Sequence, residues 1–481
     1  MPGCRLDFRE GSCVIQRTAP NVRVRNSPAM PSAAPRVPRN VLQATLIAAL
    51  GGLLFGLSMS VIAGAEGPIQ RHFSLSALNL GLTVAAALLG TIPGSLFIEW
   101  PADRLGRKPT LLLLAVVFLL GSLGAALASD WHTLLAARFL VGMAVGGASV
   151  VVPMYIAEIS PAEHRGRLVS FNQLHIVLGI FLGFASGWLL VHVFPETTAW
   201  RWMLGIVAVP AAVFLSLLFR LPESPRWLAR HGRLDAAAGT LERLGIENPR
   251  SEIDDIGRSP SSPAERLFQR RFLQPILLAV TLACFNQLSG ITALTYAPRI
   301  FGMAGAERHF ALLQSVALGV TNIILTLVAM RLIDRVGRRK LVLWGSVGYV
   351  ASLAFVAGAL HWHAATAHPA SPALVLLGLI AFQASHALGQ GAVLWVFISE
   401  IFPNAVRARG QSLATVIHWT LAALVGWSFP ALAEAWGGGV FVLFAAMMVL
   451  QFLFAWKIMP ETRNRTLEEI ESHWEPPVAR D

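Results

Sequence analysis

Asp103-Arg-Leu-Gly-Arg-Lys108 and Asp334-Arg-Val-Gly-Arg-Arg-Lys340 are two copies of one basic string, and two further strings repeat with them. Glu158-Ile-Ser-Pro, followed by Arg165-Gly-Arg167, returns as Glu400-Ile-Phe-Pro, followed by Arg407-Ala-Arg409. Pro222-Glu-Ser-Pro-Arg226 returns as Pro460-Glu-Thr-Arg463. The copies are offset by 231, 242 and 238 residues, so the chain is a tandem duplication in one direction.

Between these strings the sequence is apolar. The chain is 55% hydrophobic and 14% charged, with mean hydropathy +0.59. A soluble chain carries about a quarter charged residues. Twelve apolar runs stand out, near 41–63, 79–100, 109–129, 133–157, 169–193, 202–221, 272–300, 309–333, 341–361, 372–400, 409–433 and 437–459. Each is long enough to cross a bilayer, and none shows the alternation of a barrel strand. Parallel repeats of this size between long apolar stretches are the build of a two-halved secondary transporter.

The net charge of +11 does not point to nucleic acid, because of where it sits. Arg104, Arg107 and Lys108 lie between runs two and three, and Arg165 and Arg167 between four and five. Arg335, Arg338, Arg339 and Lys340 lie between eight and nine, and Arg407 and Arg409 between ten and eleven. The alternate loops, such as His361 to Pro372, are poor in basic residues. This pattern predicts a multi-pass protein of the plasma or inner membrane with both termini cytoplasmic.

The expected organisation is a disordered cytoplasmic segment at 1–40, a six-helix half at 41–221, a cytoplasmic helical linker at 222–271, a second six-helix half at 272–459 and a cytoplasmic tail at 460–481. Met30 offers a second start position, so the first 29 residues are either a mis-assigned start or a disordered tail. The linker contains a helical stretch near Leu234 to Leu244 and a Ser-Pro run at Ser259 to Pro263. It carries no Gly-rich phosphate loop and no Ser/His/Asp or Cys/His set, so no enzyme is expected. Three cysteines, Cys4, Cys13 and Cys284, give neither a disulfide framework nor a metal spacing, and no cofactor is implied.

The ordered set of motifs resembles the sugar porters of the major facilitator superfamily. It runs from Gly51-Gly-Leu-Leu-Phe-Gly56 through Arg138-Phe-Leu-Val-Gly142, Pro153-Met-Tyr-Ile-Ala-Glu158 and Pro222-Glu-Ser-Pro-Arg226 to Asn286-Gln-Leu-Ser-Gly-Ile291, Trp395, Glu400-Ile-Phe-Pro403 and Pro460-Glu-Thr-Arg463. The resemblance covers about residues 41 to 470. It implies an all-α membrane protein of the major facilitator fold, with twelve transmembrane helices in two halves and short cytoplasmic helices between them. It further implies transport of a monosaccharide by alternating access, with the lipid bilayer as surroundings, protons as an open partner, and function as a monomer.

A sugar needs amides that donate and accept, and aromatic rings to cover its C–H face. Polar side chains inside spans tend to face a cavity or a partner. By motif matching, Gln173, Asn286, Gln287, Asn322, Gly391, Trp395 and Trp419 fall where similar transporters line the sugar site. Phe55, Thr292 and His418 complete the candidate set. His418 stands where Gln is frequent, and either donates to a sugar hydroxyl or is satisfied by a neighbouring helix. Thr292 replaces a usual Asn, and the segment to Pro298 looks one residue short. That shortening rotates the residues after it by about 100°, so Tyr296 is not assured a gating role.

The resemblance also assigns a cytoplasmic gate of charge-assisted pairs. It comprises Asp103, Arg104, Arg107, Glu158, Arg165, Asp334, Arg335, Arg338, Glu400 and Arg407, with Glu158 expected to pair with Arg165 and Glu400 with Arg407. Glu99 stands where the motif usually has Gly for close helix approach. Proton-coupled relatives carry an acid directly after Phe-Gly-Tyr, and here that position is Ser58, with Arg138 as its expected neighbour. Serine exchanges no proton in this range, so facilitated diffusion is favoured over symport through another acid, Glu66 or Glu99. A transporter-derived sugar sensor is the alternative from another class, set back by the shortness of the tail.

Overall fold

The computed structural model describes residues 37–246, 248–258, 266–403 and 406–463. The expectations for residues 1–36, for Ser259 to Pro263, for the tail beyond Arg463 and for the side chain of Asp334 lie outside the described residues. Twelve helices among the described residues are long and apolar enough to span a membrane. Spans 1 to 6 are Arg39–His72, Ala77–Phe97, Arg107–Leu127, Trp131–Ile159, Arg165–Val193 and Glu196–Leu218. Spans 7 to 12 are Arg270–Met303, Arg308–Leu332, Arg338–Thr366, Ser371–Ile401, Arg409–Trp436 and Gly439–Lys457. Three short helices separate the sets: α1 (Pro225–Arg230), α2 (Leu234–Leu244) and α3 (Pro249–Arg258).

Small residues set how closely the spans pack, as expected where lipid offers no hydrophobic drive. A Cβ at Gly142 of span 4 would lie 1.9 Å from the Ala87 carbonyl oxygen of span 2. One at Gly56 of span 1 would lie 1.9 Å from the Ile176 carbonyl oxygen of span 5. Glu99 is exposed on a short helix after span 2, so close approach there is made by other residues and the Gly-to-Glu departure leaves the packing intact.

Spans 7, 10 and 6 each carry an interruption, as does span 1 at Val61. Span 7 breaks at Gly290, whose φ of +85° is costly for any other residue, and continues as a 3-10 turn over Ile291–Tyr296. Span 10 breaks at Gly389, between Ser371–Leu388 and Gln390–Ile401. Span 6 is offset between Gly205 and Ala208. Irregular backbone at this depth is tolerated where it lines a cavity or is buried in protein. The first two breaks flank Gln287 and Gly391 and so position the candidate site.

Candidate substrate site

Gln287, buried at the end of the first half of span 7, is the hub of a polar cluster. Its Nε2 donates to His418 of span 11 at 3.0 Å, and to Asn286 Oδ1 at 3.3 Å. Its Oε1 accepts from Thr292 Oγ1 at 2.6 Å, a contact that the break at Gly290 makes reachable. Three of the candidates from span 7 and one from span 11 therefore form one hydrogen-bonded unit.

Aromatic rings cover this unit. Trp395 packs on His418 with ring centroids 5.1 Å apart, and Trp419 meets the same imidazole edge-on at 5.0 Å. Trp419 also contacts Phe55 of the first half at 5.7 Å. Trp395 remains 44% exposed while touching the buried His418, so the cluster has one open face. Toward the other face lies an apolar plug of Leu88, Trp419, Ala422 and Ala423, with Phe55 and Met59 packed on it.

The remaining candidates are placed differently. Asn322 of span 8 accepts from Gln383 of span 10 at 2.9 Å and from its own Thr326, so an interhelical partner holds it. Gln173 of span 5 is exposed, on the helix face shared with Phe184. Phe184 abuts Gly319 of span 8, which directs that face toward the second half. Gly391 is exposed beside His386, whose ring nitrogen meets the Tyr349 hydroxyl at 2.5 Å. Gln383, His386 and Tyr349 were not among the sequence candidates, since a lone amide or histidine in a span gives no signal of its partner.

Ser58 and Arg138 are adjacent, as expected, and both are buried. Arg138 Nη1 donates to the Ser58 carbonyl oxygen at 3.2 Å. Arg138 Nε and Ser58 Oγ have no protein partner. They border a hole of about 10 Å³, also lined by Ser122 and Val141, which is the size of one water-sized sphere.

At the end that carries the arginine-rich loops, the three duplicated strings assemble into one motif per half. Arg107 holds Glu158 through two bonds of 2.9 and 3.0 Å, and Arg338 holds Glu400 through two of 3.2 and 2.8 Å. Glu223 accepts from the backbone N–H of Arg107 at 2.9 Å, and Glu461 from that of Arg338 at 2.9 Å. Each carboxylate therefore caps the N-terminus of a span, where the helix dipole favours an anion. Gly106 and Gly337 precede these spans with φ of +104° and +100°. A Cβ there would lie 2.2 Å from Glu223 Oε2 and 2.7 Å from Glu461 Oε2. Burial pushes the Glu223 carboxyl up, against the pull of its backbone donors and of Arg107.

These pairs differ from those expected. Glu158 bonds Arg107 rather than Arg165, whose Nε donates to the Ala157 carbonyl oxygen at 3.1 Å. Glu400 bonds Arg338 rather than Arg407, whose Nε donates to Phe402 O at 3.2 Å. The reason is the cap: binding of the span N-terminus by Glu223 or Glu461 aims the next arginine into the half's interior. Asp103 accepts from Arg107 at 2.9 Å and is otherwise exposed. Arg104 lies over Trp100 at 4.8 Å, and Arg335 is exposed.

The opposite, far end is closed across the halves. A Cβ at Gly81 of span 2 would lie 1.9 Å from the Trp427 carbonyl oxygen of span 11, so these backbones touch. Arg299, beyond the break in span 7, pairs with Glu66 of span 1 at 3.3 Å and donates to Gln70 at 2.5 Å. It also lies 3.5 Å from Glu434. Glu196 accepts from both Arg71 and Arg308, and His192 meets His309. Glu196 is half exposed, so its pairs contribute about 0–1 kcal/mol. The Glu66 carboxylate is 6% exposed, and losing Arg299 would leave it uncompensated. Tyr296 is fully buried, with its hydroxyl on the Gly426 carbonyl oxygen at 2.7 Å. Arg299 was not anticipated because nothing near it in sequence names its partner.

The family model described as "Sugar (and other) transporter" matches residues 44–474. The chain belongs to the sugar transporter family. It is 37% identical over 432 residues to a D-xylose transporter of Levilactobacillus brevis, covering 88% of this chain and 93% of that protein. It is 34% identical to a glucose facilitated diffusion protein of Zymomonas mobilis, covering 90% and 97%. Among solved structures, the inward open xylose transporter XylE from E. coli matches with TM-score 0.80 and 32% identity, over 90% of this chain and all of that one. The proton:xylose symporter XylE bound to 6-bromo-6-deoxy-D-glucose matches with TM-score 0.73 and 33% identity, over 90% and 99%.

This sugar transporter therefore has the major facilitator fold, spans the membrane through its twelve helices, and is not an enzyme. Within that frame, the cluster around Gln287 is bounded by the two breaks and by both halves.

Proposed function

We propose that this transporter carries a monosaccharide, a hexose or pentose, by alternating access between its halves. One observation carries the reading: a buried Gln287 is joined to Asn286, Thr292 and His418 and flanked by Trp419 and by the part-exposed Trp395. The amides and the imidazole supply both donors and acceptors for hydroxyls, and the indoles supply a flat surface for the sugar's C–H face. Gln173 and Gly391 belong to the walls of the same opening, and Phe55 to its closed end. The arginine-rich loops and both termini face the cytoplasm of the plasma or inner membrane, and the closed far end faces outside. The described state is then inward-facing, and the transporter works as a monomer.

Uptake of radiolabelled hexoses and pentoses into proteoliposomes tests this reading. Gln287→Ala is expected to weaken binding of the transported sugar by about 1–3 kcal/mol, because a sugar hydroxyl and the His418 nitrogen both lose a partner. Unchanged affinity in that variant would remove Gln287 from the site.

The coupling mode we assign is facilitated diffusion. Ser58 has no titrating group, and Arg138 stays protonated. A proton that binds neither state at this position cannot shift the cycle. Uptake is expected to equilibrate sugar without concentrating it, to ignore a protonophore, and to retain counterflow. Accumulation under an imposed proton gradient would transfer the role to another acid. Glu66 is the residue that favours this second reading, because its ion pair with Arg299 of the other half must part in each cycle.

A further inference from the structure

We propose that His192 and His309 form a transition-metal site at the far end, and that a zinc-class divalent cation bound there fastens the two halves together. The imidazoles come from different halves: His192 ends span 5 and His309 begins span 8. Their Nε2 atoms face one another, with ring centroids 3.8 Å apart and planes at 63°. Both side chains are exposed, so an aqueous ion reaches them directly.

The state of one ring is fixed from behind. His192 Nδ1 lies 2.7 Å from the Trp188 carbonyl oxygen. A carbonyl only accepts, so Nδ1 carries the proton and the Nε2 lone pair is aimed at His309. A backbone bond of this kind orients metal-binding histidines and raises their basicity. With its lone pair so aimed, His192 Nε2 accepts either a proton from His309 Nε2 or a cation held between the two rings. Tetrahedral zinc with Zn–N bonds of about 2.0–2.1 Å sets two nitrogens roughly 3.3 Å apart. Rotation of two exposed side chains reaches that spacing.

The chemistry selects the ion. Imidazole suits Zn²⁺, Cu²⁺ or Ni²⁺, whereas Mg²⁺ and Ca²⁺ require oxygen ligands. Glu196 begins span 6 just past the end of span 5, but Arg71 and Arg308 both bond it. No group of three ligating side chains occurs among the described residues, so water completes the coordination and the site is of moderate affinity. Because its two ligands belong to opposite halves, the metal binds only the far-closed state and stabilises it by that difference. Occupancy slows the cycle whatever solute is carried.

The test uses the full chain purified in detergent, with Zn²⁺ alone as the probe, read by titration calorimetry and by melting temperature. Saturable Zn²⁺ binding with a rise in melting temperature is expected, and Mg²⁺ should have no effect. His192→Gln and His309→Gln should each weaken Zn²⁺ binding at least about tenfold and remove the rise, with unchanged melting in chelator. His132→Gln, a change at an exposed histidine elsewhere on the surface, should leave both intact. Equal Zn²⁺ binding in the native chain and in both variants would overturn the site, and loss in only one variant would overturn the bridge. Neither readout involves sugar, so failure of the transport reading leaves the result interpretable.

Discussion

Gly81→Val is expected to hold the far end open. The added side chain meets the Trp427 carbonyl oxygen, where even a Cβ would lie at 1.9 Å. Gly81 belongs to span 2 and Trp427 to span 11, so the clash exists only while the halves touch there. Overpacking of this kind costs about 1–3 kcal/mol, and more where backbone must move. At about 1.4 kcal/mol per tenfold, that shifts the balance between the two states by roughly 5- to 140-fold, and further where backbone moves. The Arg299–Glu66 pair opposes the shift, and Gly81→Ala is therefore expected to give a smaller effect in the same direction. A cysteine placed at Met59, in the plug beside Trp419, reports the change when Cys4, Cys13 and Cys284 are replaced. Labelling by an impermeant thiol reagent from the far side should rise strongly in Gly81→Val. Transport should fall, because the closed state is no longer reached. Unchanged labelling and transport would mean that the contact between spans 2 and 11 does not limit closure.

The second large effect concerns the paired strings. Glu158→Ala leaves the Arg107 guanidinium, 3% exposed, without its bidentate partner, and Glu400→Ala does the same to the bond with Arg338. Removing one partner of a buried pair costs about 3–5 kcal/mol. Asp103 and the Ala102 carbonyl oxygen still hold Arg107, so the lower end of that range is expected for Glu158. Melting temperature should fall clearly in both variants. Loss of a staple within one half lowers stability whichever end is open, whereas loss of a gate between halves would change the conformational balance and leave stability alone. Joint replacement, Glu158→Gln with Arg107→Met, should recover part of the loss, since no unpaired charge remains buried. Full stability in Glu158→Ala would reduce the motif to a signal for membrane orientation.

The duplicated strings were readable because a tandem duplication copies local sequence. Their partners were not. Glu158 lies 7 residues from Arg165 and 51 from Arg107, yet it bonds Arg107. The decision falls to Glu223, which lies 116 residues from Arg107 and caps the span that carries it. The sugar-site candidates divide in the same way. Asn286, Gln287 and Thr292 are close in sequence and meet each other. Asn322 meets Gln383, and Phe55 meets Trp419, only because particular faces of distant helices come together. Arg299 had no sequence signal, since its partner Glu66 is 233 residues away.

By itself the sequence determined twelve membrane-spanning helices, their twofold repeat and the side that carries the arginines. Those features come from the length of apolar runs and from local charge, which need no knowledge of neighbours. Only the tertiary structure decided which carboxylate holds which arginine, that the far end is shut, and that Gln287 rather than Asn322 centres the cluster. Each residue turns a helix by about 100°, so the direction of a side chain depends on rotations and breaks such as that at Gly290. Those rotations are fixed by packing between segments hundreds of residues apart.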